Sequence, residues 1–211
     1  MRIWLLAALC AIPVLAHAQA DVGLVNLVSG EVVFAAGGGA AAKVTPFMKV
    51  REGDRFDLPA GAQLRVVYFE GARQERWQGP SSFRAARTEG TPLKGAVAEA
   101  TRLPAGVTGR IARVPELMQN AKLGGIQLRG LRPEMTAIDL ASLREARETY
   151  DRLKGQLPRD DITAELFLYS ALEEFRLYDE MRGVVEEMER KQPQSEDVRS
   201  LADYVKARSR R

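Results

Sequence analysis

The sequence predicts an α+β fold, in which an all-β region is followed by an all-α region. Between residues 21 and 132, short apolar runs alternate with polar positions and are interrupted by Gly and Pro, as in a β-sandwich or a short β-solenoid. After Pro133 the apolar residues recur at spacings of three and four, the period of amphipathic helices. We therefore divide the chain into a leader (1–20), a β domain (21–132) and a helical-hairpin domain (133–211).

The leader has the three parts of a cleavable secretory signal peptide. Arg2 gives the positive start, Ile3–Val14 is the apolar core, and Ala16-His17-Ala18 and Ala18-Gln19-Ala20 both fit the small-x-small cleavage pattern. The alternative is an uncleaved anchor, but the apolar run is shorter than the roughly 20 residues that span a bilayer. We expect export to a bacterial periplasm, with no transmembrane segment in the mature chain.

The composition argues against catalysis once the leader is removed. The single Cys and the single His are Cys10 and His17, which both belong to the leader. A mature chain without thiol or imidazole lacks the residues of Cys–His and Ser–His–Asp catalysis and of the usual zinc sites. We predict that the protein is not an enzyme and has no catalytic residue, no cofactor and no metal. The net charge of +3 is spread over interleaved acids and bases, so no nucleic-acid partner is predicted.

Turn residues divide the first part of the β domain into short strands. A pair of strands is predicted over Leu24–Phe34, broken at Ser29-Gly30, and Ala35–Ala42 is predicted to be a flexible loop. Val50–Phe56 indicates the end of one strand, a turn and the start of another.

The clearest hairpin follows in the middle of the domain. Gln63–Phe69 has β-branched and aromatic residues in succession, Glu70-Gly71 is a hairpin-turn signal, and Arg73–Trp77 is the returning strand. A further turn is predicted at Pro80-Ser81-Ser82.

The last part of the β domain carries weaker patterns. Thr88–Gly109 is rich in Gly, Ala, Thr and Pro, so we predict an irregular connection. Val114–Lys122 is predicted to be a short helix on the β domain, and Gly124–Gly130 to be one more strand bounded by glycines.

Four helices are predicted after Pro133. The first begins with a capping box, Thr136-x-x-Asp139, and ends at Gly155 before Pro158. Its predicted inward residues are Leu140, Leu143, Ala146, Tyr150 and Leu153.

The sequence also indicates where the other three helices begin. Asp160 or Asp161 caps the second, the third covers Asp179–Lys191, and Ser195 begins the fourth. Their predicted inward residues are Leu166, Leu168, Leu172 and Phe175, then Met181, Val184, Val185 and Met188, then Val198, Leu201 and Val205.

Four segments of the β domain form an ordered set, namely Val28–Val32, Gly53-Asp54, Leu64–Gly71 and Gly79–Phe83. In this order they resemble the strand and turn motifs of the FecR domain, a bacterial envelope module. Glu70 and Ala72 depart from the family pattern, which usually has Asp and Ser there. The resemblance implies the fold of that domain and a binding role in the envelope.

The apolar spacing of the helical domain resembles that of tetratricopeptide repeats, whose period is about 34 residues. The matching residues are Ala146, Tyr150, Leu153 and Pro158, then Leu168, Leu172, Met181, Val185, Met188 and Pro193. The resemblance implies about one and a half degenerate repeats with a capping helix, and a surface for a protein partner. The alternative is a generic helical bundle.

Two segments of the β domain contain residue types that occur in ligand sites. Gly37–Lys43 has glycines before a lysine, but Val44 stands where a phosphate loop needs Ser or Thr, so we predict a flexible loop. Asp54 has Asp57 and Glu52 nearby without the spacing of a calcium loop, so we predict that it hydrogen-bonds turn amides.

Three aromatic residues are the candidates for contact with a partner. Trp77 is predicted to fill the β core, with a role as a binding platform as the alternative. Tyr169 and Tyr178 are predicted to pack between helices, with a role as groove anchors as the alternative.

Taken together, these patterns favour a non-catalytic periplasmic FecR-domain protein that acts as a protein-interaction, signalling or scaffold module, with an envelope protein as its partner. The alternative is a sensor that binds glycan or another small envelope ligand, with peptidoglycan as the partner. A third hypothesis is an unrecognised hydrolase.

Overall fold

The computed structural model describes residues 20–123 and 135–209, and within them strands precede helices. The α+β class is confirmed. The strands are β1 Asp21–Ser29, β2 Val33–Ala35, β3 Ala42–Lys43, β4 Lys49–Arg51, β5 Arg55–Leu58, β6 Gln63–Tyr68, β7 Arg73–Gln78, β8 Ser81–Ala85, β9 Gly90–Gly95 and β10 Glu99–Arg102. The helices are α1 Val107–Ile111, α2 Val114–Lys122, α3 Ala137–Gln156, α4 Thr163–Glu174, α5 Tyr178–Lys191 and α6 Glu196–Ser209. The predicted leader, the strand at Gly124–Gly130 and the domain boundary after residue 132 lie outside the described residues.

The strands form two five-stranded antiparallel sheets that pack as a sandwich. The first sheet has the order β10-β7-β6-β1-β4 and the second β3-β2-β5-β8-β9. Alternate residues of the central strands, such as β5, β6 and β8, point between the sheets, where they bury one apolar cluster. Its largest members are Trp77, Tyr68, Phe56 and Phe83.

The chain crosses between the sheets where the sequence predicted a strand pair. Strands β1 and β2 occur within Leu24–Phe34, but they belong to different sheets and do not pair with each other. Gly30, with φ 79°, lies at the break, and a Cβ there would come within 3.1 Å of Ala62. The turn therefore sends the chain across the sandwich, and the prediction of a pair was wrong.

The central hairpin is confirmed. Strands β6 and β7 pair in register from Gln63↔Gln78 to Tyr68↔Arg73, with the turn at Glu70-Gly71 between them. A Cβ on Gly71 would lie 2.0 Å from the backbone oxygen of Thr88, so only glycine fits this turn. The turn predicted at Pro80-Ser81-Ser82 was wrong for the two serines, because Ser81 and Ser82 begin β8 and are buried.

The prediction of an irregular connection over Thr88–Gly109 was wrong. This segment contains β9, β10 and the first three residues of α1. Strand β9 pairs with β8 and β10 with β7, each at the edge of its sheet. Edge strands are exposed and lack strong apolar alternation, which is why the segment resembled a loop.

The starts of α2, α3 and α6 agree with the predictions, whereas the N-cap of α4 is Ile162 and not Asp160 or Asp161. Helix α2 spans the predicted residues, and the Thr136–Asp139 capping box is present at the start of α3. The Asp161 Oδ1 atom accepts a hydrogen bond from the Thr163 amide at 2.7 Å at the start of α4. The Ser195 Oγ atom accepts one from the Val198 amide at 3.3 Å in the first turn of α6.

Two details of α3 differ from the prediction. Gly155 lies inside the helix, which continues to Gln156, and Leu157 is the first extended residue before Pro158. Leu140 is 51% exposed, because the buried side of α3 runs through Leu143, Ala146 and Leu153. The predicted inward residues of α5 and α6 are all buried.

The two regions share an apolar core. Successive helices from α3 to α6 pack on one another, and α1 and α2 pack against α4 and α6. This helical cluster continues onto the outer face of the first sheet through Leu24 and Val67 and onto the loop residue Phe47. Within the described ranges, no helix combines the length and apolar character needed to cross a bilayer.

Candidate binding cleft between the sheets and the helices

A cleft of about 420 Å³ opens where the end of the sandwich meets the helices. Strands β2 and β4 and the loop before β4 form one wall, and α2 with the first turn of α6 forms the other. The apolar part of the lining consists of Phe34, Pro46, Phe47, Met48, Pro115 and Met118. The volume lies within the range of roughly 300–1,000 Å³ that is usual for ligand pockets.

Phe47 holds the two walls together. Its ring is buried in the helical cluster, while its amide donates a hydrogen bond to the Val25 carbonyl at 2.8 Å. Its φ of 58° is a left-handed conformation that a bulky side chain rarely adopts. Such strain persists only where the surrounding structure imposes it, and it concentrates at functional sites.

Cationic side chains line the β4 side of the cleft. The Lys49 Nζ atom lies 2.6 Å from Asp21 Oδ2, and the Arg51 Nε atom lies 3.7 Å from Asp21 Oδ1. The two cations therefore share one carboxylate. Their side chains are 48% and 56% exposed, more than that of Asp21.

A third cation faces them from the helical wall. The Lys122 Nζ atom lies 2.7 Å from Asp197 Oδ1. Lys122 is 55% exposed, whereas Asp197 is largely buried. On both walls the cation is thus the member of the ion pair that solvent or a ligand reaches first.

Asp54 also lines the cleft, and its role in the turn is the predicted one. Its Oδ2 atom accepts a hydrogen bond from the Arg51 amide at 2.9 Å. Its Oδ1 atom is buried and has no hydrogen-bond partner within the described part of the chain. Burial raises the pKa of this carboxyl above its ordinary value of 3.8, against the opposing effect of the Arg51 amide. The two neighbouring acids form ion pairs with other residues, Asp57 with Arg55 and Glu52 with Arg87.

A buried polar junction, which the sequence did not predict, attaches α4 to the first sheet. The Asn26 Nδ2 atom and the Thr163 hydroxyl both donate to Gln74 Oε1, at 3.2 and 2.6 Å. The Gln74 Nε2 atom donates to Asp161 Oδ2. Arg65 lies beneath, with its guanidinium 3.0 Å from Asp160 and 3.4 Å from Asp161. Partial burial raises the pKa of Asp160, but the charge and the hydrogen bond of Arg65, together with a backbone hydrogen bond and the charge of Arg76, outweigh it and hold that pKa below 3.8.

The junction continues into the helices. The Lys191 Nζ atom contacts both carboxylate oxygens of Glu165 at 2.9 Å and donates to the Asp161 carbonyl at 2.8 Å. The Tyr150 hydroxyl donates to Glu165 at 3.4 Å. Burial, and then the Glu165 charge, raises the pKa of Tyr150 to about 12. The only sequence signal for this junction was polar residues within apolar strand runs, at Asn26 and Arg65.

The three aromatic candidates all lie outside the cleft lining, Trp77 in the sandwich and Tyr169 and Tyr178 in the helical cluster. Trp77 is 1% exposed and stacks on Phe83 with ring centroids 4.1 Å apart, inside the sandwich. Tyr169 is also 1% exposed, in the helical core. Only Tyr178 reaches the surface, where it packs edge-on against Tyr204, whose ring lies under the Arg208 guanidinium.

The cleft can bind a ligand by burying apolar groups on its floor and by exchanging its surface ion pairs for ligand charges. Surface ion pairs of this kind contribute only about 0–1 kcal/mol, so their exchange costs little.

Comparison with family models, with curated proteins and with solved structures finds no match for this chain.

Proposed function

We propose that the protein is an exported, non-catalytic interaction module that binds an envelope protein through a surface formed by both of its regions. The observation that carries this proposal is the cleft, because neither region forms it alone. Lys49 and Arg51 come from a strand, and Lys122 and Met118 come from a helix. A site of this kind requires the two regions to stay in fixed relative positions, and the buried junction supplies that.

The FecR-like identity of the β region is part of the proposal. Two of its motifs coincide with turns of the structure, at Gly53-Asp54 and at Glu70-Gly71. A third motif, Val28–Val32, spans the crossing between the sheets. These positions support the resemblance because each motif lies at a turn or at the crossing between the sheets, where the chain changes direction.

The repeat-like identity of the helices has similar support. Helices α3, α4, α5 and α6 each pack on the next, as helices in a repeat array do. In this proposal Tyr178 is a peripheral contact for the partner, since it is only half-buried whereas Trp77 and Tyr169 are fully buried.

Export is the third part of the proposal, and the leader sequence supports it. Cell fractionation should place the protein in the periplasm, and the mass of the purified protein should correspond to cleavage after Ala18 or Ala20. Recovery of the uncleaved chain from the cytoplasm would contradict export without affecting the cleft.

The binding function is tested by affinity capture from periplasmic extract, with each captured protein then purified and tested for direct binding. The expected result is one protein partner whose binding is lost in Arg51→Glu. The matched control is Arg102→Glu, an exposed arginine on β10, at the opposite edge of the same sheet. Retention on purified peptidoglycan without a protein partner would instead favour the ligand-sensor alternative, and turnover of a substrate would favour the hydrolase.

A further inference from the structure

We propose that the cleft binds an acidic, extended peptide segment of the partner that carries an apolar anchor side chain. This inference rests on the proposed function, since it specifies the partner's chemistry at the same site.

The charges on the rim favour an anionic ligand. Lys49 and Arg51 share the carboxylate of Asp21, and the other acid of this wall, Asp54, is buried, so the cations are the charges most exposed to a ligand. A ligand carboxylate could take the place of Asp21 at either cation. Because these are exposed pairs, the exchange loses little energy and gains complementary charge.

The spacing of the cations favours an extended peptide. Lys49 and Arg51 are two residues apart on one strand, so their side chains point to the same side and lie about 6.6 Å apart along it. Two acids separated by one residue on an extended peptide have the same spacing. Lys122 on the opposite wall is placed to meet a third anionic group, such as a chain terminus.

The floor of the cleft favours an apolar anchor. Phe34 and Met48 are half-buried, and they lie across from Met118 on α2. An aliphatic or aromatic side chain inserted there would complete their burial, which is how the central residues of protein interfaces contribute most of their binding energy.

The turn at Asp54 excludes one common way of binding a peptide at this edge. The Arg51 amide donates to the Asp54 carboxylate, and the Arg51 carbonyl accepts a hydrogen bond from the Asp54 amide at 3.1 Å. Both outward groups of Arg51 are therefore already bonded. The peptide is recognised by side chains and not by adding a strand beside β4.

The concave shape argues for a peptide and against a membrane surface. The apolar floor at Phe34 and Met48 lies between the two cationic walls, where a flat bilayer does not reach it. A narrow segment can enter between them.

The test is fluorescence anisotropy with the purified chain and a short labelled peptide that has two aspartates separated by one residue and a neighbouring leucine. We expect saturable binding that weakens with added salt. A peptide of the same composition with adjacent aspartates, and one with serine in place of leucine, should each bind several-fold more weakly.

Variants of the protein assign the binding to the cleft. Arg51→Glu should weaken binding about tenfold or more, while Arg102→Glu should leave it unchanged. A peptide with lysines in place of the aspartates should recover affinity for Arg51→Glu. Circular dichroism of each variant excludes unfolding as the cause, and Lys49→Glu gives a second, independent charge reversal on the same wall.

Three results would overturn the inference: absence of peptide binding, equal binding by Arg51→Glu and the wild type, or binding of phosphatidylglycerol vesicles in preference to the peptide. These are distinguishable from failure of the proposed function. If an identified envelope protein binds the wild type and Arg51→Glu equally, the interaction function stands and the cleft assignment fails.

Discussion

The two faces of the first sheet contact the second sheet and the helices through different kinds of interaction. The inner face meets the second sheet through an apolar cluster in which Phe83 stacks between Phe56 and Trp77, at 4.9 and 4.1 Å. The outer face meets the helices through Leu24 and Val67 together with the polar junction around Gln74. Apolar burial is non-directional, whereas hydrogen bonds require particular geometry. The inner face therefore stabilises the sandwich, and the outer face fixes the position of the helices on it.

The largest expected effect is on the inner face. Trp77→Ala removes the largest buried side chain and should lower the free energy of unfolding by about 3–5 kcal/mol. The measurement is urea denaturation followed by circular dichroism. A loss below about 1 kcal/mol would show that the aromatic stack contributes little to stability. The inner face would then not be the main source of stability of the sandwich.

The next effect concerns the charges of the junction. Lys191→Met leaves the fully buried Glu165 without its cation and should cost about 3 kcal/mol. The double variant with Glu165→Leu should recover most of that loss, because an apolar pair of similar volume avoids the burial of charge. If the double variant is as unstable as the single one, the ion pair itself is a major source of stability.

A smaller effect is expected from one neutral hydrogen bond of the junction. Thr163→Val keeps the shape of the side chain but removes the hydroxyl that donates to Gln74. We expect a loss of about 1 kcal/mol, since the Gln74 Oε1 atom loses one of its two donors and keeps only the Asn26 amide. An unchanged midpoint of thermal unfolding would mean that water or a side-chain rearrangement replaces this bond.

The smallest effect is a pH dependence of the inner face. Burial raises the pKa of Glu75 above 4.5, against the hydrogen bonds from Gly90 and Trp77 and the charge of Arg73. The folded state then binds this proton more tightly than the unfolded state, so the contribution is fully present below pH 4.5 and falls as the pH rises through the folded-state pKa. Glu75→Gln should flatten that decline in urea titrations at several pH values, and an identical pH profile would contradict it.

Much of the architecture could be predicted from the sequence, because it depends on local signals. The β6–β7 hairpin has a strong β run and a glycine turn, and the helix starts have side-chain caps at Thr136 and Ser195. The edge strands β9 and β10 could not be predicted, because their pairing with β8 and β7 depends on neighbours and not on their own pattern.

The candidate site was beyond sequence analysis for a related reason. Lys49, Arg51 and Lys122 are ordinary surface cations in the sequence, and only the packing of α2 beside β4 brings them to one cleft. The junction is similar, because Arg65 in an apolar strand gives no sign that its partners, Asp160 and Asp161, lie far along the chain. By contrast, the sequence did predict that Trp77 fills the β core, and the residue is buried there.

The central claim is that the sandwich and the helices form one unit, which creates the cleft between them. The other tryptophan is Trp4, so in a chain that lacks residues 1–20 the fluorescence of Trp77 reports on the sandwich, while far-ultraviolet circular dichroism reports mainly on the helices. Urea unfolding followed by both signals should give coincident transitions with one midpoint. Two separate transitions, with the helices unfolding while Trp77 remains buried, would contradict the account.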